Sequence, residues 1–546
     1  MRRIVSTYLV LVLSVLCFQQ VYAGSEMVAV SDSSFLAELY TQGVEAFKSA
    51  EYDIAVRKWK KAAKEGNADA QCNLGSCYFT GTGVNVDYKK ATNWYGKAAR
   101  QGHAVAQCNL GNCYLNGKGV DQDFGEAVNW YLLSAEQGYL PALTNLGVCY
   151  KLGEGIDVNP ERALECFQRA ARGGYADAQN ELAECYYYGS GVAQDLETAV
   201  YWYKKAAKQG HVIANRSLAV CYENGEGTAM DKSVAAMLYR KSAEKGDTLS
   251  QYYLAEMLYY GTGVEKDSVE AFKWFAKAAE LGHVESQCIV AGCYFLGDGV
   301  EQDYREAFKW FSRAAEKGDA SAISQLAGCY YGGYGVNASP EKAVVLYKKA
   351  AELGNADAQF FLAESYFYGE GVEQSLKKAC DWYNKAAEQQ HSDAMNKLGM
   401  FHYRAIGVEK DYIKAYELFS SAAEQGHASA QFNLATCYYN GHGVEQNYLS
   451  AARWFIRAAE QGCTESQYNL GVMYYKGMGV TQDYPEAVMW YSKAAENGHP
   501  VAQYDLGVCY YNGKGVERNR DEAVKWWKLS ASQDYENAKK ALRDIE

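Results

Sequence analysis

The stretch that decides the fold is Gly102-His-Ala-Val-Ala-Gln-Cys-Asn-Leu-Gly-Asn-Cys-Tyr-Leu-Asn-Gly-Lys-Gly-Val120, followed by Ala127, Trp130 and Tyr131. The pattern recurs every 36 residues without a slip of register, which gives thirteen blocks between Gly66 and Gln533. A glycine leads every block except the tenth, where Gln390 stands. A fixed period of this length predicts a solenoid of stacked repeats.

Each block is predicted to form two helices. Counting from the leading glycine as position 1, apolar residues at positions 5, 9, 12 and 13 share one side of a first helix. A Gly-x-Gly-Val loop ends that helix, and its second glycine, at position 18, is present in all thirteen blocks. Because glycine adopts positive φ without strain, this loop is typical of a helix stop. A second helix follows, with Ala, Trp, Tyr and Ala at positions 26, 29, 30 and 33 predicted to be buried.

Position 22 carries a side chain that can cap a helix in every block. Asp, Asn and Ser accept hydrogen bonds from the free N–H groups at a helix start, so the second helix is predicted to begin there. The thirteen residues are Asp87, Asp123, Asn159, Asp195, Asp231, Asp267, Asp303, Ser339, Ser375, Asp411, Asn447, Asp483 and Asn519.

The repeat quoted above resembles the Sel-one-like repeat, a relative of the tetratricopeptide repeat, and the resemblance covers nearly all of the chain after its first residues. The resemblance implies an all-α, right-handed superhelical solenoid of helix-turn-helix repeats, with the first helices lining a concave face. It also implies a non-enzymatic scaffold or adaptor in an exported or luminal compartment, and it identifies no partner.

The two ends of the chain differ from the array. Arg2 and Arg3, an apolar run too short to span a membrane comfortably, and Val21-Tyr22-Ala23 predict a signal peptide over residues 1–23. Residues 24–34 are predicted to be a short linker, 35–65 an N-terminal capping helix pair and 534–546 a C-terminal capping helix. We therefore expect an exported protein, periplasmic or secreted, with the lumen of the endoplasmic reticulum as the alternative.

The charge and the hydropathy of the chain restrict the classes of binding partner. A formal net charge of −12 disfavours nucleic acid, which needs clustered Lys and Arg. No segment after the leader predicts stable membrane insertion.

Nine cysteines occupy position 12, inside the buried side of the first helix, so they are predicted to be core residues and not disulfide partners. They are Cys77, Cys113, Cys149, Cys185, Cys221, Cys293, Cys329, Cys437 and Cys509.

Aromatic residues mark the candidate binding surface. Position 14 is aromatic in ten blocks, and in five of them an aromatic at position 7 accompanies it two turns earlier. Because tyrosine suits interfaces, we predict that these five pairs line the concave groove, although the same rings could instead fill space between successive first helices. The pairs are Tyr252 with Tyr259, Phe360 with Phe367, Phe432 with Tyr439, Tyr468 with Tyr475, and Tyr504 with Tyr511.

Two alternatives to protein or peptide binding stay open. The tyrosines could stack on cell-wall sugars, with Asp505 and Asn469 as polar partners. Ser339 with Lys342 and Ser375 with Lys378 match the Ser-x-x-Lys motif of penicillin-interacting hydrolases, but both serines occupy the capping position. Six histidines at position 2, one per block, cannot gather into a zinc site, so we expect no metal, cofactor or catalytic residues.

Overall fold

The computed structural model describes residues 34–545, so the predicted leader and residues 24–33 lie outside the described residues. Between 34 and 545 the chain forms 29 α-helices and no β-strand. Within residues 34–281, and within residues 282–545, each helix packs against the next along the chain. This arrangement confirms the all-α repeat solenoid, while the handedness of the array and its concave face stay predictions.

The helices have nearly uniform lengths. From α3 to α28, odd numbers are first helices and even numbers are second helices, whereas α1 and α2 precede the array and α29 follows it. In chain order they are α1 Ser34–Lys48, α2 Tyr52–Lys64, α3 Ala68–Thr80, α4 Tyr88–Arg100, α5 Ala104–Asn116, α6 Phe124–Glu136, α7 Leu140–Leu152, α8 Pro160–Arg172, α9 Ala176–Tyr188, α10 Leu196–Lys208, α11 Val212–Asn224, α12 Lys232–Ala243, α13 Thr248–Tyr260, α14 Ser268–Glu280, α15 Val284–Leu296, α16 Tyr304–Glu316, α17 Ala320–Gly332, α18 Pro340–Glu352, α19 Ala356–Tyr368, α20 Leu376–Glu388, α21 Ser392–Arg404, α22 Tyr412–Glu424, α23 Ala428–Asn440, α24 Tyr448–Glu460, α25 Thr464–Lys476, α26 Tyr484–Glu496, α27 Pro500–Asn512, α28 Arg520–Ser532 and α29 Glu536–Ile545.

Side-chain caps start both helices of the repeat. In every second helix the residue at position 22 accepts a backbone N–H, as Asp123 does from Glu126 at 2.9 Å, which confirms the predicted caps. The position 2 histidines cap first helices in the same way: Nδ1 of His103 accepts the N–H of Ala106 at 3.2 Å. That role for histidine is absent from the sequence interpretation.

The core follows the predicted positions, with two corrections. Ala106, Leu110 and Cys113 are buried, but the tyrosine at position 13, Tyr114, is only half-buried. In the second helices the tyrosine at position 30 is buried, whereas the tryptophan at position 29 is often half-buried. Where a Lys or Arg follows three residues later, its charged group lies over the tryptophan ring, as Lys97 lies over Trp94 at 4.3 Å.

The cysteines behave as core residues. All nine at position 12 are buried, and no disulfide joins any cysteines in the described part of the chain. Burial raises the pKa of these thiols, to about 11 at Cys329 and about 12 at Cys437. Thiols held in the protonated form are poor nucleophiles, so their contribution is packing.

The two loop positions require glycine for different physical reasons. Gly117, at position 16, has φ of +62°, and an added Cβ would meet nothing closer than 3.5 Å. Gly119, at position 18, has φ of +78°, and an added Cβ would lie 2.1 Å from the carbonyl oxygen of Tyr88 in the preceding repeat. Position 18 therefore needs glycine for close approach as well as for φ, and position 16 needs it for φ alone.

In the tenth repeat, glycine is replaced only at positions where a positive φ is the sole reason for glycine. Gln390 and Ala405 adopt φ of +63° and +58°, whereas Gly407, at position 18, is retained. Side chains with a Cβ pay a steric cost in this left-handed region. His402, also in α21, is buried, and neither of its ring nitrogens has a hydrogen-bond partner. The tenth repeat thus combines backbone strain with an unsatisfied buried ring.

We expect Ala405→Gly to stabilise the protein by about 0.5–1 kcal/mol, because relief of left-handed strain exceeds the entropy that glycine adds to the unfolded chain. Chemical denaturation followed by circular dichroism measures the change. Ala394→Gly is the matched control: it makes the same substitution inside α21 and should destabilise by about 1 kcal/mol. A loss of stability in both variants would show that Ala405 is unstrained.

Within each compact unit, buried glutamines at position 6 join several repeats to the one before. Gln107, at position 6, donates to the carbonyl of Ala99 at 3.1 Å and accepts from Gln137 at 2.7 Å. Equivalent bonds recur along the array, as in Gln431 with Ala423 and Gln461. They satisfy carbonyls at the ends of second helices, which have no partner within their own helix.

The described chain divides into two compact units, residues 34–281 and residues 282–545. The first contains α1 to α14 and the second α15 to α29.

Candidate functional site: the first-helix face

The ten aromatic residues predicted to bind a partner are all half-buried. Where a tyrosine follows nine residues after position 14, the two rings pack edge-to-face. The ring centres are 5.2 Å apart for Tyr439 and Tyr448 and 5.1 Å apart for Tyr475 and Tyr484. The loop of the following repeat covers the other side, where Lys514 lies over the Tyr475 ring at 5.3 Å. Position 14 is therefore a packing position between repeats.

The position 7 rings also pack within the array. Phe432 lies 5.9 Å from Phe455 of its own second helix. Tyr468 stacks on His499 of the next repeat at 4.6 Å, and its hydroxyl donates to Asp505 at 3.3 Å. The structure thus shows the packing role for these rings, and contact of their exposed parts with a partner stays a prediction.

Positions 8 and 15 present larger exposed surfaces that the sequence interpretation missed. In residues 34–281, Tyr188 and Tyr260 are 73% and 71% exposed at position 15. In residues 282–545, Phe361 at position 8 is 44% exposed and Tyr368 at position 15 is 55% exposed. Position 15 varies among Thr, Asn, Leu, Tyr, Gly, Arg and Lys. This variation at one position of an otherwise regular repeat was the available signal.

Gly328 and Phe361 both lie against the side chain of Tyr347. Gly328 occupies position 11 of α17, where an added Cβ would meet only the hydroxyl of Tyr347, at 3.7 Å. In other repeats that hydroxyl donates to a side chain at position 11, as Tyr131 does to Asn112 at 2.6 Å. Phe361 stacks on Tyr347 at 5.4 Å. An aromatic side chain, open backbone and a buried hydroxyl therefore meet on the surface of this unit.

An ion cluster occupies the first helices of residues 34–281. Nζ of Lys151 lies 2.9 Å from carboxylate oxygens of both Glu181 and Glu184, and the Glu181 side chain is 5% exposed. Burial and the neighbouring Glu184 raise the pKa of Glu181 to about 7, against the opposing charge of Lys151. Arg216 pairs separately with Asp247 at 2.5 Å. These residues make this stretch of the face polar, as their types indicated.

The Ser-x-x-Lys pairs act as helix caps. Ser339 and Ser375 accept the backbone N–H of Lys342 and Lys378, each at 3.4 Å. The Lys342 ammonium lies 5.4 Å from the centre of the Tyr330 ring and makes no hydrogen bond to the serine hydroxyl. Capping accounts for both motifs.

The polar residues considered for sugar binding are engaged inside the protein. The side-chain amide of Asn469 donates to the carbonyl of Glu465 at 2.8 Å, and Asp505 accepts from Tyr468. Burial raises the pKa of Asp505 to about 6, although the Tyr468 hydrogen bond and the charge of Lys476 oppose it. These contacts leave few free polar atoms beside the rings.

Two structural observations bear on the class of site. Among the described residues, His, Cys, Asp and Glu side chains form no group that could hold a metal ion. No helix between residues 34 and 545 is both long and apolar enough to cross a membrane.

Comparison with known proteins identifies the repeat. The Sel1 repeat family matches thirteen consecutive segments, from residues 68–103 to residues 500–535. A protective antigen of uropathogenic Escherichia coli, solved with an SLR fold, is 34% identical over 89% of this chain and 97% of its own, with a TM-score of 0.51.

Two further solved structures are similar over shorter stretches. A Sel1 repeat protein from Oxalobacter formigenes is 34% identical over 56% of this chain and 88% of its own, with a TM-score of 0.45. A Sel1 repeat protein from Klebsiella pneumoniae is 25% identical over 37% of this chain and 98% of its own, with a TM-score of 0.26. No curated protein sequence matched the chain.

Proposed function

The chain belongs to the Sel1 repeat family, and from this premise we propose that it is an exported scaffold that binds a protein or peptide partner through its first-helix face. Sel1 repeats are scaffolds that typically mediate protein–protein interaction, and family members are generally not enzymes. The observation that carries the proposal is the exposed aromatic surface of Phe361 and Tyr368 beside the open backbone of Gly328.

The composition of this surface supports a protein partner. Aromatic side chains that are partly exposed and fixed by neighbours contribute most of the energy in many interfaces. Phe361 is held by Tyr347, and Tyr368 packs edge-to-face on Phe367 at 4.8 Å, so little side-chain entropy remains to be lost on binding. The predicted site residues Phe360 and Phe367 lie directly beside these two rings.

Export is part of the proposal and rests on residues 1–23. The Escherichia coli relative is described as a protective antigen, which supports a location outside the cytoplasm for this chain too. N-terminal sequencing of the protein recovered from its producing cell should give Gly24 as the first residue. A first residue of Met1 would contradict cleavage.

We expect Phe361→Ala with Tyr368→Ala to weaken partner capture at least tenfold, since two aromatic anchors are removed from the contact. The measurement is affinity capture from the envelope and medium of the producing cell, with quantitation of the proteins retained by the wild type. The control is Val345→Ala with Ile413→Ala, which removes side chains 68% and 62% exposed on second helices of the same unit.

Thermal unfolding of both double variants separates binding from folding. Equal capture by the two folded variants would contradict the proposed surface. The half-buried rings are tested next by Tyr468→Phe with Tyr475→Phe, which retains ring packing and removes only the hydroxyls. Capture lost in that variant would place those tyrosines in the contact as well.

A further inference from the structure

Three glutamates of residues 34–281, two on first helices and one in the loop after a first helix, are held by tyrosine hydroxyls. The pairs are Tyr239 with Glu223 at 2.8 Å, Tyr187 with Glu226, and Tyr252 with Glu256 at 2.8 Å. All three carboxylates are half-buried, and among the described residues none forms an ion pair with Lys, Arg or His. A hydroxyl donates a hydrogen bond but adds no positive charge, so these bonds do not neutralise the three carboxylates. The charge of Arg216 reaches the Tyr239 hydroxyl that bonds Glu223 without forming an ion pair with that glutamate.

The cations on the same face are committed elsewhere. Lys151 is shared by Glu181 and Glu184, and Arg216 pairs with Asp247. The face of α9, α11 and α13 therefore carries a local excess of negative charge in a partly desolvated setting, where screening by water is weaker than on an open surface.

An unsatisfied buried acceptor lies on α9, one helical turn from Glu184. Asn180 in α9 is 1% exposed, and its Oδ1 has no hydrogen-bond donor. Oδ2 of Asp177 also lacks a donor, while Oδ1 of the same residue lies 3.2 Å from Nε2 of His211. Asn180 and Glu184 are one helical turn apart, so the orphan acceptor and the carboxylate lie on the same side of α9. Buried acceptors without donors are rare in folded proteins and indicate a missing partner.

Two tyrosine rings stand exposed at the ends of the same helices. Tyr188 and Tyr260 are 73% and 71% exposed, and each is fixed by an edge-to-face contact with the preceding tyrosine. Burial and the charge of Glu184 raise the pKa of Tyr188, the charge of Lys151 opposes them, and Glu226 adds a smaller increase, so the hydroxyl lies near Lys151 as well as near both carboxylates. Ring faces beside carboxylates suit a guanidinium or ammonium group.

We propose that this face binds an arginine- and lysine-rich segment of a partner polypeptide. Guanidinium or ammonium groups would supply the charge that Glu223, Glu226 and Glu256 lack, stack on Tyr188 and Tyr260, and donate to the acceptors beside Asn180. The inference rests on the proposed function as a protein-binding scaffold and adds the chemistry of one bound segment. It concerns residues 176–260, apart from the aromatic surface at Phe361 and Tyr368.

The test is fluorescence anisotropy with a labelled peptide of alternating arginine and glycine, titrated with the full chain at about 50 mM salt. Glu223→Gln with Glu256→Gln removes two charges while keeping acceptors for the tyrosine hydroxyls. The matched control is Glu161→Gln with Glu197→Gln, which makes the same change in net charge at exposed positions of the second helices α8 and α10. We expect about a tenfold loss of affinity in the first variant and less than about twofold in the control.

Three results would overturn the inference: no binding of the arginine peptide, equal binding of a glutamate–glycine peptide, or an equal loss in the two variants. Failure of the two proposals is distinguishable. Partner capture that depends on Phe361 and Tyr368 without arginine-peptide binding would remove only the inference. Arginine-peptide binding that depends on Glu223 and Glu256, without such capture, would remove only the aromatic surface.

Discussion

Gly443→Ala should lower the free energy of unfolding of residues 282–545 by about 2–4 kcal/mol, because two costs add at this position. Gly443 has φ of +75°, where a side chain costs about 1 kcal/mol or more. An added Cβ would also lie 2.0 Å from the carbonyl oxygen of Tyr412, and relief of that overlap costs about 1–3 kcal/mol. The neighbour is backbone at the start of α22, so it cannot rotate away.

Gly441→Ala is the matched control, two residues away in the same loop. Its φ is +72°, but the nearest atom to an added Cβ is 3.3 Å away, so only the backbone cost of about 1 kcal/mol applies. Urea denaturation of both variants measures the difference. Equal losses would mean that position 18 is glycine in every repeat for its φ alone, and the close approach between repeats would have no energetic weight.

Lys151→Met should destabilise residues 34–281 by about 2–3 kcal/mol at pH 8, because it leaves two carboxylates side by side without a cation. The expected loss of stability is smaller than that for a fully buried ion pair because the Lys151 side chain is one-third exposed. Burial lowers the pKa of Lys151, but the charges of Glu181 and Glu184 outweigh it and hold the pKa above its usual range. The lysine is therefore charged whenever the glutamates are.

The loss should shrink on acidification. The pKa of Glu181 is already raised to about 7, and removal of Lys151 takes away a charge that lowers it. When the pKa of a carboxyl is higher in the folded state than in the unfolded state, the protein loses stability as the pH rises between these two pKa values. The variant should therefore come closer to the wild type at pH 5.5 than at pH 8. A deficit that is equal at both pH values, or one below about 0.5 kcal/mol, would contradict the pairing. Lys204→Met, an exposed lysine in α10, serves as the control.

Local features of the repeat could be predicted because their causes lie within a few residues. The cap at Asp123 bonds an N–H three residues later, and the loop after α5 needs glycine for φ at Gly117. The buried side formed by Ala106 and Leu110 follows from helix geometry. Each of these could be checked against the same pattern in the other blocks.

The candidate surface was predicted only in part, because exposure depends on the neighbouring helix. Positions 7 and 14 were selected for aromatic content, yet rings such as Tyr468 and Tyr475 pack against the adjacent repeat. The more exposed rings, including Tyr188 at position 15 and Phe361 at position 8, are one residue away along the same helices. A shift of one residue turns a side chain by about 100° around the helix axis, which separates contact with a neighbour from exposure to solvent.

The sequence by itself determined the repeat, its helices and their caps, the core and the family, since a fixed period and short-range hydrogen bonds decide them. Only the tertiary structure decided which glycines are required for contact, which rings are exposed and which glutamates lack a cation. The carbonyl of Tyr412 that faces Gly443 and the lysine that neutralises Glu181 come from the preceding repeat, about 30 residues away in the chain. Such contacts arise from how one repeat packs on the next, and no pattern within a single repeat contains them.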